Sequence, residues 1–198
     1  MSRLNQAGFT LAELSVSLVL IGIVSIATFT IFNTSINNYL GLQQDATEFN
    51  SLTAGSQRVG TVLRGLTDIT EANSNDMTFY AYFSPNDSYV SLIKYYIAGT
   101  HKSLFADVTP MTANPPNGSL ITAQKKTYTI IEDFYQQPNV DTFTYLDSAG
   151  TALTQPLSDL HTIKGITVSL AVPINDPTAN GSRVINVQVS LRNRKTNL

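Results

Sequence analysis

Residues 8–32 read GFTLAELSVSLVLIGIVSIATFTIF, and this stretch decides the fold of the chain. Residues 14–32 carry no charge, and a single carboxylate, Glu13, stands immediately before them. An apolar segment of about twenty residues spans a lipid bilayer as a helix. A carboxylate at the mouth of such a segment is costly in lipid unless it finds a partner. The sequence therefore predicts a membrane-spanning helix in which Glu13 has a functional role.

The charges on either side of this segment predict its orientation. Arg3 and the amino terminus precede it, and the first charges after it are Asp45 and Glu48. Positively charged flanks stay on the cytoplasmic side of a membrane. We therefore expect a single-pass membrane protein with a cytoplasmic N-terminus and an extracytoplasmic C-terminal domain.

Three kinds of N-terminal segment compete at this point. A secretory signal peptide has an apolar stretch of about 7–15 residues and a small-residue cleavage site, whereas this stretch is longer and no Ala-x-Ala site follows it. A plain membrane anchor explains the length but neither the Gly8-Phe9 junction nor Glu13. The segment from Gly8 to Glu13, together with the polar leader and the apolar run, closely resembles the type IV prepilin motif.

This resemblance implies a defined processing step. In type IV prepilins, a prepilin peptidase cuts after the glycine, here Gly8, on the cytoplasmic side, and N-methylates the new first residue, here Phe9. Glu13 then occupies the fifth position of the mature chain, where the family has its characteristic glutamate. The resemblance thus implies Gly8 and Phe9 as processing residues, and Glu13 with Thr10 as assembly residues.

Cleavage at Gly8 would also supply Glu13 with a partner. It creates a cationic amine on Phe9, and Phe9 and Glu13 are neighbours on one helical face because they are four residues apart. By resemblance, Glu13 also meets the amine of an adjacent subunit in a filament. A buried charge needs a matched partner, so Glu13 is predicted to set the register of assembly more than to add affinity.

The helix is predicted to continue past the membrane, from about residue 10 to about residue 66. Apolar or small residues recur there at steps of three or four, which is typical of an amphipathic helix: Leu42, Ala46, Phe49, Leu52, Ser56, Val59, Leu63 and Leu66. The predicted domains are a leader (1–8), the transmembrane and assembly part of the helix (9–32), its amphipathic continuation (33–68) and a globular head (69–198).

The head is predicted to be an antiparallel β-sheet. Aromatic, β-branched or alternating residues indicate strands at residues 77–83, 89–98, 126–131, 142–146, 166–172 and 185–191, and residues 109–119 read as a surface loop. The fold class is therefore α+β. A long N-terminal helix packed against such a head is the pilin-like architecture by resemblance.

The C-terminal half favours one kind of pilin. Residues 143–150 form an aromatic strand ending in an Asp-x-x-Gly turn, residues 160–172 form a second strand, and residues 187–193 end in an Arg-Asn pair. This order resembles PilW- and PulJ-type minor pilins, the J-type subunits. Major pilins stay possible, although this chain is longer and lacks a C-terminal cysteine pair.

Composition argues against several other classes. The net charge of −2 gives no basic surface for nucleic acid, and the absence of cysteine excludes a disulfide framework. His101 and His161 stand alone, and the pair Glu132-Asp133 has no positioned partner for acid–base work. We predict no catalytic residue, no metal site and no cofactor.

Two clusters leave a binding role open. Basic residues could form a patch that touches DNA, although solubilising charge is the favoured interpretation: Lys125, Lys126, Arg192, Arg194 and Lys195. Tyrosines could stack on bases or sugars, although strand aromatics more often fill a core: Tyr80, Tyr82, Tyr89, Tyr95 and Tyr96.

The predicted function is that of a minor pilin, which helps to initiate or cap a type IV pilus near its tip. Its expected partners are the prepilin peptidase, other major and minor pilins, the inner-membrane assembly platform and, before assembly, membrane lipid. Its final location would be a cell-surface pilus or a periplasmic pseudopilus. The alternatives are a pseudopilin of a type II secretion system and a tip-exposed module for adhesion or DNA uptake in competence.

Overall fold

A computed structural model describes residues 10–99, 102–174 and 181–191 of the chain. The predicted leader and Phe9 lie outside these residues, as do His101, Arg192, Arg194 and Lys195. The chain divides into two units, Met1–Gln44 and Asp45–Leu198. The first contains the apolar part of the N-terminal helix, and the second contains the rest of that helix together with the strands.

The N-terminal helix, α1, covers Leu11–Arg64. The predicted limits, at about residues 10 and 66, agree with it to within two residues. The helix ends where the Gly65 N–H donates to the carbonyl of Val62 at 3.1 Å, an i to i−3 bond of the kind that tightens a last turn. Arg64 lies in that last turn and Glu13 in the first, so both charges suit the helix dipole.

Within the described residues of the head, eight strands form two antiparallel sheets. The five-stranded sheet, in the order β1-β2-β3-β4-β5, contains β1 (Asp68–Ala72), β2 (Asp76–Ala81), β3 (Ser91–Ala98), β4 (Ser103–Pro110) and β5 (Lys126–Ile131). The three-stranded sheet, in the order β6-β7-β8, contains β6 (Phe143–Leu146), β7 (Gly165–Pro173) and β8 (Ser182–Ser190). The predicted α+β, pilin-like fold class is confirmed.

Two strands were not predicted from the sequence. In β1 only Ile69 and Ala72 are buried, so its apolar signal is too weak to distinguish it from a turn. In β4 the apolar–polar alternation is obscured by Phe105 on the outward face, and the strand carries Asp107 and ends on a proline. Asp107 is tolerated because it lies opposite Thr127 of β5, whose hydroxyl donates to it at 2.6 Å. A local pattern cannot reveal such a cross-strand partner.

The core of the head lies between the C-terminal part of α1 and the inner faces of the sheets. The helix contributes Leu52, Val59 and Leu63, and the strands contribute large side chains with no exposed surface: Met77, Phe79, Ile93, Tyr95, Leu104, Ile131, Phe143, Tyr145, Ile166, Val168 and Leu170. The predicted apolar stripe is therefore buried only from Leu52 onwards. Its earlier members Leu42 and Phe49 are 70% and 43% exposed.

Glycine lets α1 approach the five-stranded sheet closely. A Cβ added at Gly55 would lie 2.5 Å from Ile131 Cγ1 and 2.8 Å from the Ile130 carbonyl oxygen. Ordinary van der Waals contact between carbon atoms needs about 3.5–4.0 Å. Glycine within a helix is normally destabilising, whereas at Gly55 the missing side chain is what makes room for β5.

We expect Gly55→Ala to destabilise the head by about 1–2 kcal/mol. Overpacking of a core costs about 1–3 kcal/mol, and one of the two obstructing atoms here belongs to the backbone. The higher helix propensity of alanine offsets about 1 kcal/mol of that cost. Urea unfolding of the full chain in detergent micelles, followed by near-ultraviolet circular dichroism of the buried tyrosines, measures the difference.

Gly41→Ala is the matched control, since a Cβ added at Gly41 meets nothing within 4 Å. It makes the same chemical change in the same helix, and its effect should be neutral or slightly stabilising. The account of close packing at Gly55 is wrong if Gly55→Ala is as stable as Gly41→Ala.

Candidate assembly site

Thr10 and Glu13 form a reciprocal hydrogen-bonded cap at the start of α1. The Thr10 N–H donates to Glu13 Oε2 at 2.9 Å, and the Glu13 N–H donates to Thr10 Oγ1 at 3.2 Å. The Thr10 hydroxyl also donates to Glu13 Oε2 at 3.0 Å. The first helical bond runs from the Leu14 N–H to the Thr10 carbonyl at 3.1 Å. This is a capping box, which satisfies two backbone donors that the helix itself leaves unpaired.

The cap gives Glu13 a local partner that the sequence interpretation did not include. The spacing Thr10-x-x-Glu13 is the capping-box signature, so the signal was present in the sequence. Both side chains are exposed, and the two hydrogen bonds that Glu13 accepts fall on Oε2. Within the part of the chain that the structure describes, no donor reaches Oε1. The carboxylate is thus held in a fixed position with one oxygen available.

The structure leaves the predicted ion pair with Phe9 untested, because Gly8 and Phe9 lie outside the described residues. The roles of Gly8 and Phe9 in processing, and of Glu13 and Thr10 in assembly, accordingly stay predictions. The N–H of Thr10, the residue directly after Phe9, donates to Glu13 Oε2. An amine on Phe9 would therefore begin one residue away from that hydrogen bond.

The apolar part of α1 has the properties of a membrane-spanning helix. In the described residues, one helix is long and apolar enough to cross a membrane, with a mean hydropathy of 2.4 in its most apolar window and none of that window buried. The core helix of a soluble protein would be largely buried, so that interpretation does not fit. A signal sequence passes the same test of length and composition.

Three hydroxyl groups within this segment donate hydrogen bonds to the helix itself. Ser15 Oγ donates to the Leu11 carbonyl at 2.9 Å, and Thr28 Oγ1 donates to the Val24 carbonyl at 2.8 Å. Thr30 makes the same bond one turn back, at 2.9 Å. In lipid, a polar group without a partner is costly, so these residues can stand in the membrane without interrupting its apolar surface.

The exposed apolar surface of α1 extends beyond a bilayer-spanning length. After residue 32, large side chains stay exposed at Ile36, Tyr39, Leu40, Leu42 and Phe49. A helix that is apolar outside the bilayer needs another protein surface to cover it. This surface suits contact with the helices of other subunits.

Two arginines attach the helix to the strands within the second unit. Arg183 in β8 forms an ion pair with Asp45 at 3.1 Å, and its guanidinium lies 5.5 Å from the Phe49 ring centroid. Arg58 lies 4.3 Å above the Phe83 ring and donates to the Phe83 carbonyl at 2.9 Å. No sequence signal identifies these contacts, because Asp45 and Arg183 are 138 residues apart.

Two other candidates from the sequence, Lys125 and Tyr95, are engaged within the head. Lys125 is held by Asp107 at 2.6 Å, and this hydrogen bond raises the Lys125 pKa above its usual value. Tyr95 lies in the core against Phe79, at 5.4 Å between ring centroids. Among the described residues, no group of three or more His, Cys, Asp or Glu is placed to hold a metal ion.

The predicted turn after the aromatic strand is confirmed. Asp147 Oδ1 accepts hydrogen bonds from the N–H groups of Ala149 and Thr151, both at 2.8 Å. Gly150 has φ +80°, a left-handed conformation that glycine adopts without strain. The Asp-x-x-Gly segment thus ends β6 as the sequence predicts.

Comparison with known proteins identifies the N-terminal segment. A family model described as the prokaryotic N-terminal methylation motif matches residues 3–29. That range contains residues 3–8 of the predicted leader, the Gly8-Phe9 junction, the capping box and most of the apolar run. No curated protein matches the chain.

Proposed function

We propose that this chain is a minor pilin that helps to initiate a filament near its tip. It is a type IV prepilin-like protein, since it carries the N-terminal methylation motif at residues 3–29 and has a pilin-like α+β fold. The motif implies processing by prepilin peptidase and assembly with other pilins. In the proposed processing, the peptide bond after Gly8 is cut and the new amine on Phe9 is methylated. The transmembrane part of the helix would then be residues 9–32.

The exposed apolar surface of α1 is the observation that carries this proposal. The head buries its own core. Apart from Asp45, the buried residues of the helix begin at Leu52. The large apolar side chains of residues 11–32 are exposed, and lipid would cover them before assembly and neighbouring subunits afterwards. The helix would thus exchange one apolar environment for another, with little net hydrophobic driving force.

Moving the helix from lipid into a filament changes its hydrophobic free energy little. Polar groups must therefore select the register in which neighbouring subunits dock. Glu13 is suited to this because the capping box fixes its carboxylate while Oε1 stays available. In the proposed filament, the methylated amine of a neighbouring subunit approaches this oxygen. A shifted register would leave a carboxylate and an amine unpaired in an apolar environment, which is strongly unfavourable.

The minor role and the tip position rest on the resemblance of the C-terminal half to J-type subunits. The Asp-x-x-Gly turn after β6 and the alternation in β7 carry that resemblance. The predicted Arg-Asn pair lies outside the described residues. J-type subunits occur in pili and in the pseudopili of type II secretion systems, so the second candidate is the same role in a pseudopilus, and gene neighbours discriminate between the two.

Counting the subunit in isolated filaments tests the proposal. We expect quantitative mass spectrometry of sheared filaments to find this chain at a small fraction of the major pilin. Deletion of its gene should sharply reduce the number of filaments, and re-expression should restore it. Equal abundance with the major subunit would contradict a minor role, and an unchanged filament number in the deletion strain would contradict a role in initiation.

A further inference from the structure

The head contains an open cleft that the assembly role does not use. It has a volume of about 590 Å³, within the range of about 300–1,000 Å³ that is typical of small-molecule sites. The segment between β2 and β3, the start of β5 and the short 3₁₀ helix Thr122–Gln124 line it. All of its lining residues lie in the second unit.

An aromatic platform forms one wall of the cleft. Tyr128 lies against Phe83, with ring centroids 4.8 Å apart and planes inclined at 35°. Arg58 of the helix lies above the Phe83 ring, so Phe83 contacts both the guanidinium and Tyr128. Tyr128 nevertheless stays 40% exposed. Its ring is thus held in position by its neighbours while part of its surface faces the cleft.

Polar groups of both signs surround this platform. Asp87 and Lys126 provide one negative and one positive charge, and Gln124 and Ser88 provide neutral donors and acceptors. Asp87 is oriented by the Ser84 N–H, which donates to its Oδ2 at 2.8 Å. Tyr89, which is 46% exposed, adds a second aromatic side chain. The lining as a whole carries no net charge.

This combination selects one class of ligand. A polyanion such as single-stranded DNA is bound by a positively charged groove, whereas Asp87 cancels Lys126 here. A purely apolar ligand would leave Asp87, Lys126 and Gln124 without polar partners. A neutral sugar ring has C–H groups that pack on the negative face of an aromatic ring and hydroxyl groups that pair with amides, hydroxyls and carboxylates.

We propose that this cleft binds a neutral saccharide, with Tyr128 as the stacking surface and Asp87, Gln124 and Lys126 as hydrogen-bonding groups. The site gives the head a recognition function beyond assembly. It uses no residue of the N-terminal motif, so binding and filament formation are separable by mutation. A glycan on another surface would then be recognised through its sugar rings and not through charge.

The full chain in micelles of a zwitterionic amine oxide detergent is suited to the test, since alkyl glycoside detergents carry a sugar of their own. The probes are maltotriose, cellotriose and chitotriose, followed by saturation-transfer NMR and by titration. We expect at least one of them to bind with a Kd of about 1 mM or tighter. Tyr128→Ala should weaken that binding about tenfold or more, whereas Tyr128→Phe, which keeps the ring, should retain most of it.

Tyr135→Ala is the matched control, because Tyr135 is also 40% exposed and does not line the cleft. It should bind the saccharide as the unaltered chain does. If Tyr128→Ala fails to fold, Gln124→Ala serves instead, with an expected loss of about threefold. The proposal is overturned if none of the three saccharides binds, if the Tyr135 variant loses as much affinity as the Tyr128 variant, or if single-stranded oligothymidylate binds through Tyr128 more tightly than any saccharide.

Discussion

Replacing Glu13 with valine should exclude the chain from filaments while leaving its insertion into the membrane intact. Valine lengthens the apolar run, so insertion is not impaired. The substitution removes the carboxylate that would pair with the amine of a neighbouring subunit, and that amine then lies unpaired in an apolar environment. We expect the variant in the membrane fraction after alkaline extraction, and its recovery with other pilins in sheared filaments to fall at least about tenfold.

Glu13→Gln separates the two functions that the structure gives to this side chain. Glutamine also forms capping boxes, so this variant keeps the hydrogen bond from the Thr10 N–H but loses the charge. If the charge selects the register, Glu13→Gln should fail in assembly nearly as completely as Glu13→Val. Thr10→Val removes the hydroxyl of the capping box but keeps the charge of Glu13, so it should impair assembly less than Glu13→Gln. Recovery of Glu13→Val in filaments at the level of the unaltered chain would refute the proposed role.

Gly8→Val should block processing, which is the second large effect that we predict. By resemblance, the prepilin peptidase cuts after this glycine, and a branched side chain there obstructs the cut. The uncleaved chain keeps residues 1–8 and has no amine on Phe9, so Glu13 lacks its proposed partner. Denaturing gel electrophoresis should show the variant larger than the mature chain by the mass of the leader, and filaments should lack it.

Gly22→Val is a suitable control for this change. Gly22 lies within the apolar part of α1, and a Cβ there meets nothing within 4 Å. The same substitution at that position should leave cleavage unaffected. Cleavage of the Gly8 variant at the rate of the unaltered chain would show that the peptidase does not use this junction.

The N-terminal helix and strand β7 were predictable because their determinants are local. The uncharged run of residues 14–32 predicts a helix on its own, and the spacing of Leu52, Val59 and Leu63 identifies the face that packs on the sheets. The alternation of Ile166, Val168 and Leu170 in β7 likewise reports a buried strand face. Ile166, Val168 and Leu170 are all fully buried.

What the sequence did not predict depends on partners far along the chain. β4 carries an acidic residue that Lys125 and Thr127 satisfy across the sheet, and no window of β4 alone contains them. The close approach at Gly55 is visible only once Ile131 is in place. The division of the strands into two sheets is non-local in the same way.

The two candidate sites also differ in whether their determinants are local or far apart in the chain. The capping box was predictable in principle, because Thr10 and Glu13 are three residues apart. The proposed saccharide cleft was not, since the contacts that Phe83 makes with Arg58 and Tyr128 join distant parts of the chain. The tyrosines singled out in the sequence identified the cleft only in part. Tyr95 is buried in the core and Tyr89 lines the cleft, while Tyr128 was not among them.

Mass spectrometry of the N-terminal peptide, from chain isolated out of cells that carry the assembly machinery, tests the central claim most directly. The account predicts that the mature chain begins at Phe9 and carries one methyl group on its amine, with residues 1–8 absent. A chain that keeps Met1–Gly8, or one that begins beyond the apolar segment as after signal-peptide cleavage, would contradict it.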